Sequence, residues 1–331
     1  MADAYPRGVQ ITINSTWRHI VQALKGNLMK IITNPLARGL NFFGNKIKQT
    51  ISLTAASLLL VVSATASATP ISSLNIFGDS LSDTGALTYL VPAACPPDPY
   101  SECRFSNGPV WVELLADELG LSAATAYAGG TNYAIGGQRT DNVLDQQIPG
   151  FLASNSGVAD PDALYVIWAG GNDFLQNDPV GTYSPLSAVS NIVDSVLSLS
   201  AAGAMDFLIP NLPIADPWAF AFNSALASSL GTIGGGLNIT QVDAFSTFLD
   251  ITLNPNDYPF TNVSEPCFDG VTACANPDEY LLWDQVHPTA AGHRFIAAAA
   301  LAALPVSEPA MLAIFGIGLI GLMRTRRKIL A

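Results

Sequence analysis

"NIFGDSLSDTG", residues 75–85, runs from apolar strand-forming residues through Gly78 into a polar turn that sets Ser80 between Asp79 and Asp83. An apolar run that stops at a glycine predicts a buried strand ending in a tight turn. Three readings of Ser80 compete there. It can be a nucleophile carried at a strand end, an N-cap, or a neighbour of an Asp79/Asp83 pair of the kind used in aspartyl-phosphate chemistry. The third is disfavoured, because that chemistry places its carboxylates two residues apart and these stand four apart.

Outward from this turn, apolar runs alternate with helical stretches, as a parallel α/β sheet requires. Strands are expected near 74–77, 132–135, 164–168, 206–209 and 238–242, and helices near 110–119, 188–199, 218–229 and 290–304. A flavodoxin-like order 2-1-3-4-5 puts the first strand at the switch point, where sites form beyond the carboxyl ends of strands. Ser80 follows strand 1, Gly136-Gly137 follows strand 2, and Asn172 in "GGND" follows strand 3, so three polar turns should share one mouth. "GTIGGG" at 231–236 has neither the preceding strand nor the lysine of a phosphate loop.

A serine hydroxyl needs an adjacent base, most often histidine. Of the three histidines, His19 falls in a segment expected to be removed, and His293 in "AAGHRF" reads as a surface or packing residue. His287 in "WDQVHP" has Asp284 three residues earlier, a spacing that lets a carboxylate fix the imidazole tautomer. Ser80, His287 and Asp284 therefore form a candidate triad. Donors for an oxyanion would be the Ser80 N–H, a glycine N–H of "GGQ" and the Asn172 amide. Tyr89, Trp111, Phe174, Trp218, Phe220 and Phe222 are candidates for an acyl groove or, more ordinarily, for the core.

Taken together, "FGDSLSDTG", "NYAIGGQRT", "WAGGND" and "WDQVHPTAAGH" resemble the four sequence blocks of the SGNH/GDSL hydrolases. "RFSNGPVWVELLA" at 104–116 is similar to a segment of their secreted phospholipase, lecithinase and haemolysin-like branch. The resemblance covers roughly residues 72–304. It implies a three-layer α/β/α sandwich on a five-stranded parallel sheet, no metal or other cofactor, and ester or lipid hydrolysis through an acyl-serine. Alignment of the motif selects Gly137 over Gly136. Acyl transfer by the same acyl-enzyme, and a catalytically silent surface or matrix-binding protein, are the rival functions.

The ends carry sorting features. Lys46 and Lys48 precede an apolar stretch closed by Ala66-Ser67-Ala68, so residues 1–68 are expected to be a signal region, with Met29 as an alternative start and signal peptidase cutting before Thr69. Residues 69–305 form the expected hydrolase domain. Residues 306–331 hold Ser307-Glu308-Pro309, an apolar run and the basic cluster Arg324, Arg326, Arg327 and Lys328. This end resembles a PEP-CTERM sorting signal, which implies export from a Gram-negative cell to its surface or matrix, membrane contact before processing, and an exosortase partner.

Between residues 69 and 323 only three basic residues, Arg104, Arg139 and Arg294, stand against 25 carboxylates, a formal charge of −22 that repels nucleic acid. The four cysteines suit an oxidising compartment, and proximity in sequence pairs Cys95 with Cys103 and Cys267 with Cys274. A zinc site is disfavoured by their spacing and by the lack of an adjacent histidine.

Overall fold

A computed structural model of the chain describes residues 71–176, 183–234 and 236–305. The expected signal region with His19, and the expected sorting tail, lie outside these described residues.

Four parallel strands form the sheet: β1 (Leu74–Gly78), β2 (Leu164–Trp168), β3 (Asp206–Pro210) and β4 (Asn238–Val242), in the order β1-β2-β3-β4. Leu74 pairs with Leu164, Leu164 with Asp206, and Asp206 with Asn238, so the strands begin level and end level. Their residues alternate between two cores, since successive strand side chains point to opposite faces. Leu74, Ile76, Val166, Trp168 and Leu208 pack with α2 (Trp111–Leu119), α7 (Ala244–Leu253) and α8 (Ala290–Ala303). Phe77, Tyr165, Ile167, Phe207 and Ile209 pack with α3 (Ile148–Ser154), α5 (Pro185–Ala201) and α6 (Pro217–Leu230). The result is the expected α/β/α sandwich. Two short helices sit at its mouth, α1 (Leu87–Leu90) and α4 (Gly171–Leu175).

The sheet has four described strands where five are expected. Residues 131–135 do run parallel along the free edge of β1: Ile76 N–H donates to Thr131 O at 3.1 Å, Tyr133 N–H to Ile76 O at 2.7 Å, and Ile135 N–H to Gly78 O at 3.2 Å. Only the isolated bridge Ile76 to Asn132 results. The reason is local. Asn132 turns its own backbone by accepting the Ala134 N–H at 2.9 Å, and its amide reaches across to Ser82 O at 2.7 Å. The segment thus occupies the position expected of strand 2 without becoming a strand.

Helix starts follow side-chain caps. Ser184 caps α5, Asp216 caps α6, Asp243 caps α7 and Thr289 caps α8, each accepting a first-turn N–H. The Thr289 cap sits two residues after His287, so the element that ends the site's last turn also starts α8.

Candidate active site

Gly78 ends β1 against the carbonyl of Trp168, where a Cβ would lie 2.2 Å from that oxygen. Buried Gln147 clasps the same residue from the other side, accepting the Gly78 N–H at 2.9 Å and donating to its carbonyl at 2.7 Å. The chain then turns sharply, with Asp79 O accepting from the N–H of both Ser82 and Asp83 at 3.0 Å. Ser80 is carried on this turn and is buried.

Its hydroxyl meets His287. The Oγ to Nε2 distance is 2.8 Å, across 207 residues of sequence. On the other side of the ring, Nδ1 lies 2.8 Å from Asp284 Oδ2 and 3.0 Å from Oδ1. The neutral tautomer that suits these contacts donates Nδ1–H to Asp284 and accepts the Ser80 proton at Nε2. Asp284 Oδ1 also closes its own turn, accepting the N–H of Val286 at 2.9 Å and of His287 at 2.8 Å. Burial pushes the Asp284 carboxyl up, but His287 and these donors outweigh it and hold the group below the usual carboxylate range.

The two glycines after the bridge segment are not equivalent. The Gly136 N–H is donated to Asp83 Oδ2 at 2.8 Å, and a Cβ there would strike the Phe105 ring at 2.1 Å. Gly137 has φ +79°, the left-handed region that favours glycine, and faces open space. Among the described residues neither the Gly137 N–H nor the Ser80 N–H is donated to an acceptor. Asn172 is buried on α4 and donates from Nδ2 to Gln138 O at 3.0 Å, next to Gly137. It also stabilises the carboxylate of Asp79. Ser80, Gly137 and Asn172 are thus gathered around one turn.

Buried carboxylates fasten the turns to each other. Asp83 accepts from Gly85 N–H at 2.8 Å and Ala86 N–H at 2.7 Å with one oxygen and from Gly136 with the other. Asp173 accepts from Thr140 N–H at 3.0 Å and Thr140 Oγ1 at 2.7 Å, joining α4 to the segment after Gly137. Desolvation raises the pKa of both. Asp79, fully buried beside His287, is pushed by desolvation up to about 7. Asp79 Oδ1 accepts the Leu81 N–H at 3.1 Å, whereas Asp83 holds the N–H groups of Gly85, Ala86 and Gly136, so each carboxylate is spent on backbone donors rather than offered for phosphoryl transfer.

His293 is buried rather than exposed, which selects the packing alternative. Its Nδ1 accepts the Trp111 N–H at 3.2 Å, and burial, with His287 adding repulsion, depresses its pKa to about 3. Trp111 and Phe222 are core. Phe174 and Trp218 are half-buried and 5.9 Å apart beside the Asn172 turn, Phe220 packs on Phe245, and Tyr89 is exposed. Disulfides join Cys95 to Cys103 and Cys267 to Cys274. Among the described residues no group of three His, Cys, Asp or Glu side chains could hold a metal ion.

Sequence reading missed Tyr100, whose hydroxyl donates to Asp284 Oδ2 at 2.7 Å from 184 residues away. It also missed Gln147 and the fastening roles of Asp83 and Asp173. No local pattern marks a partner chosen by tertiary contact. The acidic residues inside the quoted blocks were the one available signal.

Residues 74–300 match the family described as GDSL-like Lipase/Acylhydrolase, and residues 305–328 match the PEP-CTERM protein-sorting motif. Among relatives, a phosphatidylcholine-sterol acyltransferase of Aeromonas hydrophila is 34% identical over 46% of this chain and 48% of its own. A thermolabile hemolysin of Vibrio parahaemolyticus is 26% identical over 66% and 60%. Esterase EstA of Pseudomonas aeruginosa is 30% identical over 74% and 49%. The chain spans about half the length of these relatives, between 48% and 60%.

Proposed function

Since the chain belongs to the GDSL-like lipase/acylhydrolase family, we propose that it is an exported serine hydrolase that cleaves carboxylic esters through an acyl-serine intermediate. The observation that carries this is the continuous chain Ser80 Oγ, His287, Asp284, with 2.8 Å on each side of the imidazole. A hydroxyl so placed can lose its proton as it attacks, which an isolated serine cannot do at neutral pH.

In this reading Ser80 Oγ attacks the ester carbonyl while His287 Nε2 takes its proton. Asp284 holds the imidazole and balances the imidazolium that forms. The tetrahedral oxyanion is met by the Ser80 N–H, the Gly137 N–H and the side-chain amide of Asn172. His287 returns the proton to the leaving alkoxide as the C–O bond breaks, leaving the acyl group on Ser80. Water, deprotonated by His287, attacks the acyl-serine. The acid leaves and Ser80 regains its proton.

Acyl transfer uses the same intermediate with an alcohol in place of water, and the likeness to an acyltransferase makes it the second reading. Ester and lipid substrates are the class proposed here. The match at residues 305–328 indicates export with surface or extracellular sorting. We place a signal region at 1–68, the hydrolase at 69–305 and an exosortase-read signal at 306–331.

The test is hydrolysis of p-nitrophenyl butyrate and octanoate by the purified exported protein, beside Ser80→Ala and His287→Ala. Both variants should keep the fold and lose about 10³-fold or more in kcat. Correctly folded wild type that releases no nitrophenol from either ester, or a Ser80→Ala variant with full activity, would defeat the reading. Adding a sterol acceptor to a phospholipid assay separates transfer from hydrolysis by product.

A further inference from the structure

The Cys95–Cys103 disulfide closes a short loop that contains one aromatic residue, Tyr100. That residue reaches the far side of the site and donates its hydroxyl to Asp284 Oδ2. Its ring is set edge-on against Phe268 at 5.6 Å and Trp283 at 5.9 Å, which stack on each other at 5.6 Å. Trp283 immediately precedes Asp284, and Phe268 immediately follows Cys267, the partner of Cys274. Both disulfides therefore bear on the same aromatic cluster.

The loop is tied down where it leaves the disulfide. Ser101 N–H donates to Ser106 O at 2.9 Å. Arg104 forms a two-pronged pair with Glu113 on α2, at 2.8 and 2.7 Å. Ser106 Oγ then donates to Pro288 O at 2.9 Å, and Asn107 Oδ1 accepts the Ala290 N–H at 2.8 Å, gripping the chain on the far side of His287. The segment that presents Tyr100 is thus built onto the segment that carries Asp284 and His287.

The two oxygens of Asp284 are held differently. Oδ1 is fixed by the N–H groups of its own turn, whereas Oδ2 has Tyr100 as its other donor beside His287 Nδ1. Without the tyrosine hydroxyl the carboxylate can swing about its Cβ–Cγ bond and share Nδ1 between its oxygens, which already lie 2.8 and 3.0 Å away. We propose that Tyr100, presented by the Cys95–Cys103 loop, is a positioning residue that locks the carboxylate plane of Asp284 and through it the direction in which His287 faces Ser80. The proposal rests on reading Ser80, His287 and Asp284 as an ester-cleaving triad.

Tyr100→Phe tests it, because the ring and its packing remain and only the hydroxyl is removed. The expected result is a kcat about tenfold lower, the scale of one hydrogen bond to a charged group, with KM within about twofold. Replacing Cys95 and Cys103 by alanine should lower kcat similarly, and adding Tyr100→Phe to that background should lower it no further. Independent losses that multiply would overturn presentation by the loop. The His287 Nδ1–H resonance in proton NMR supplies a reading that needs no substrate. It should be sharp and far downfield in wild type and broadened by exchange in Tyr100→Phe. Full kcat and an unchanged resonance in Tyr100→Phe would remove the positioning role while leaving the hydrolase reading intact. An inactive wild type would defeat the hydrolase reading, and the resonance would still decide whether Tyr100 locks Asp284.

Discussion

Asp79 and His293 are both buried, and burial displaces their ionisation in opposite senses. His293 titrates near 3 in the folded chain against 6.5 unfolded. As pH falls from 6.5 toward 3 the unfolded chain gains a proton that the folded chain refuses, so stability is lost through that window. Asp79 titrates near 7 folded against 3.8 unfolded. From about 4 to about 7 the folded chain keeps a proton that the unfolded chain sheds, so this group lowers stability as pH rises. Each slope is at most about 1.4 kcal/mol per pH unit. Thermal melts across pH should show Asp79→Asn gaining on wild type as pH rises from about 4 to 7, and His293→Gln gaining on wild type as pH falls below about 6.5. A pH-independent difference for either variant would mean that the group it removes is not displaced.

The strand-to-turn junctions carry most of the positioning. β1 delivers Ser80 because Gly78 lets two strands touch backbone to backbone and Gln147 satisfies the polar groups that the turn leaves behind. The glycine pair after the bridge segment makes a contrast that can be measured. Gly136→Ala would drive a methyl into Phe105, whose ring centre lies 5.3 Å from that of His287. It should cost about 1 to 3 kcal/mol by overpacking and reduce kcat as the imidazole is pushed. Gly137→Ala meets no atom within 4 Å and should cost only about 1 to 2 kcal/mol for its left-handed backbone, with a smaller loss of kcat. Urea melts and ester kinetics on the two variants check this, and equal kcat losses would refute the wedge formed by Phe105. The strand predicted at 132–135 shows where local pattern misleads. Its apolar residues fit a strand, but Asn132 spends its side chain on the backbone at both sides and breaks the ladder.

Across residues 69–323, three arginines face 25 carboxylates. The described ion pairs use Arg104 with Glu102 and Glu113, and Arg139 with Asp141, beside the His287–Asp284 contact. Most carboxylates therefore repel one another without relief. Melting temperature should rise as NaCl is raised from about 10 mM to about 1 M, because the screening length falls from about 30 to about 3 Å. A flat or falling melting temperature would show that the acidic surface is not what limits stability. The chain order of strands and helices, the serine turn, the glycine pair, Asn172 and the Asp284/His287 pair were legible before folding, because each is a short-range pattern: an apolar period, a turn residue, a spacing of three. That Asp83 takes the Gly136 N–H, that His293 is buried and neutral, and that Tyr100 reaches Asp284 were not legible. Those depend on contacts between residues as much as 184 apart, and only packing of the whole sandwich brings such partners within hydrogen-bond reach.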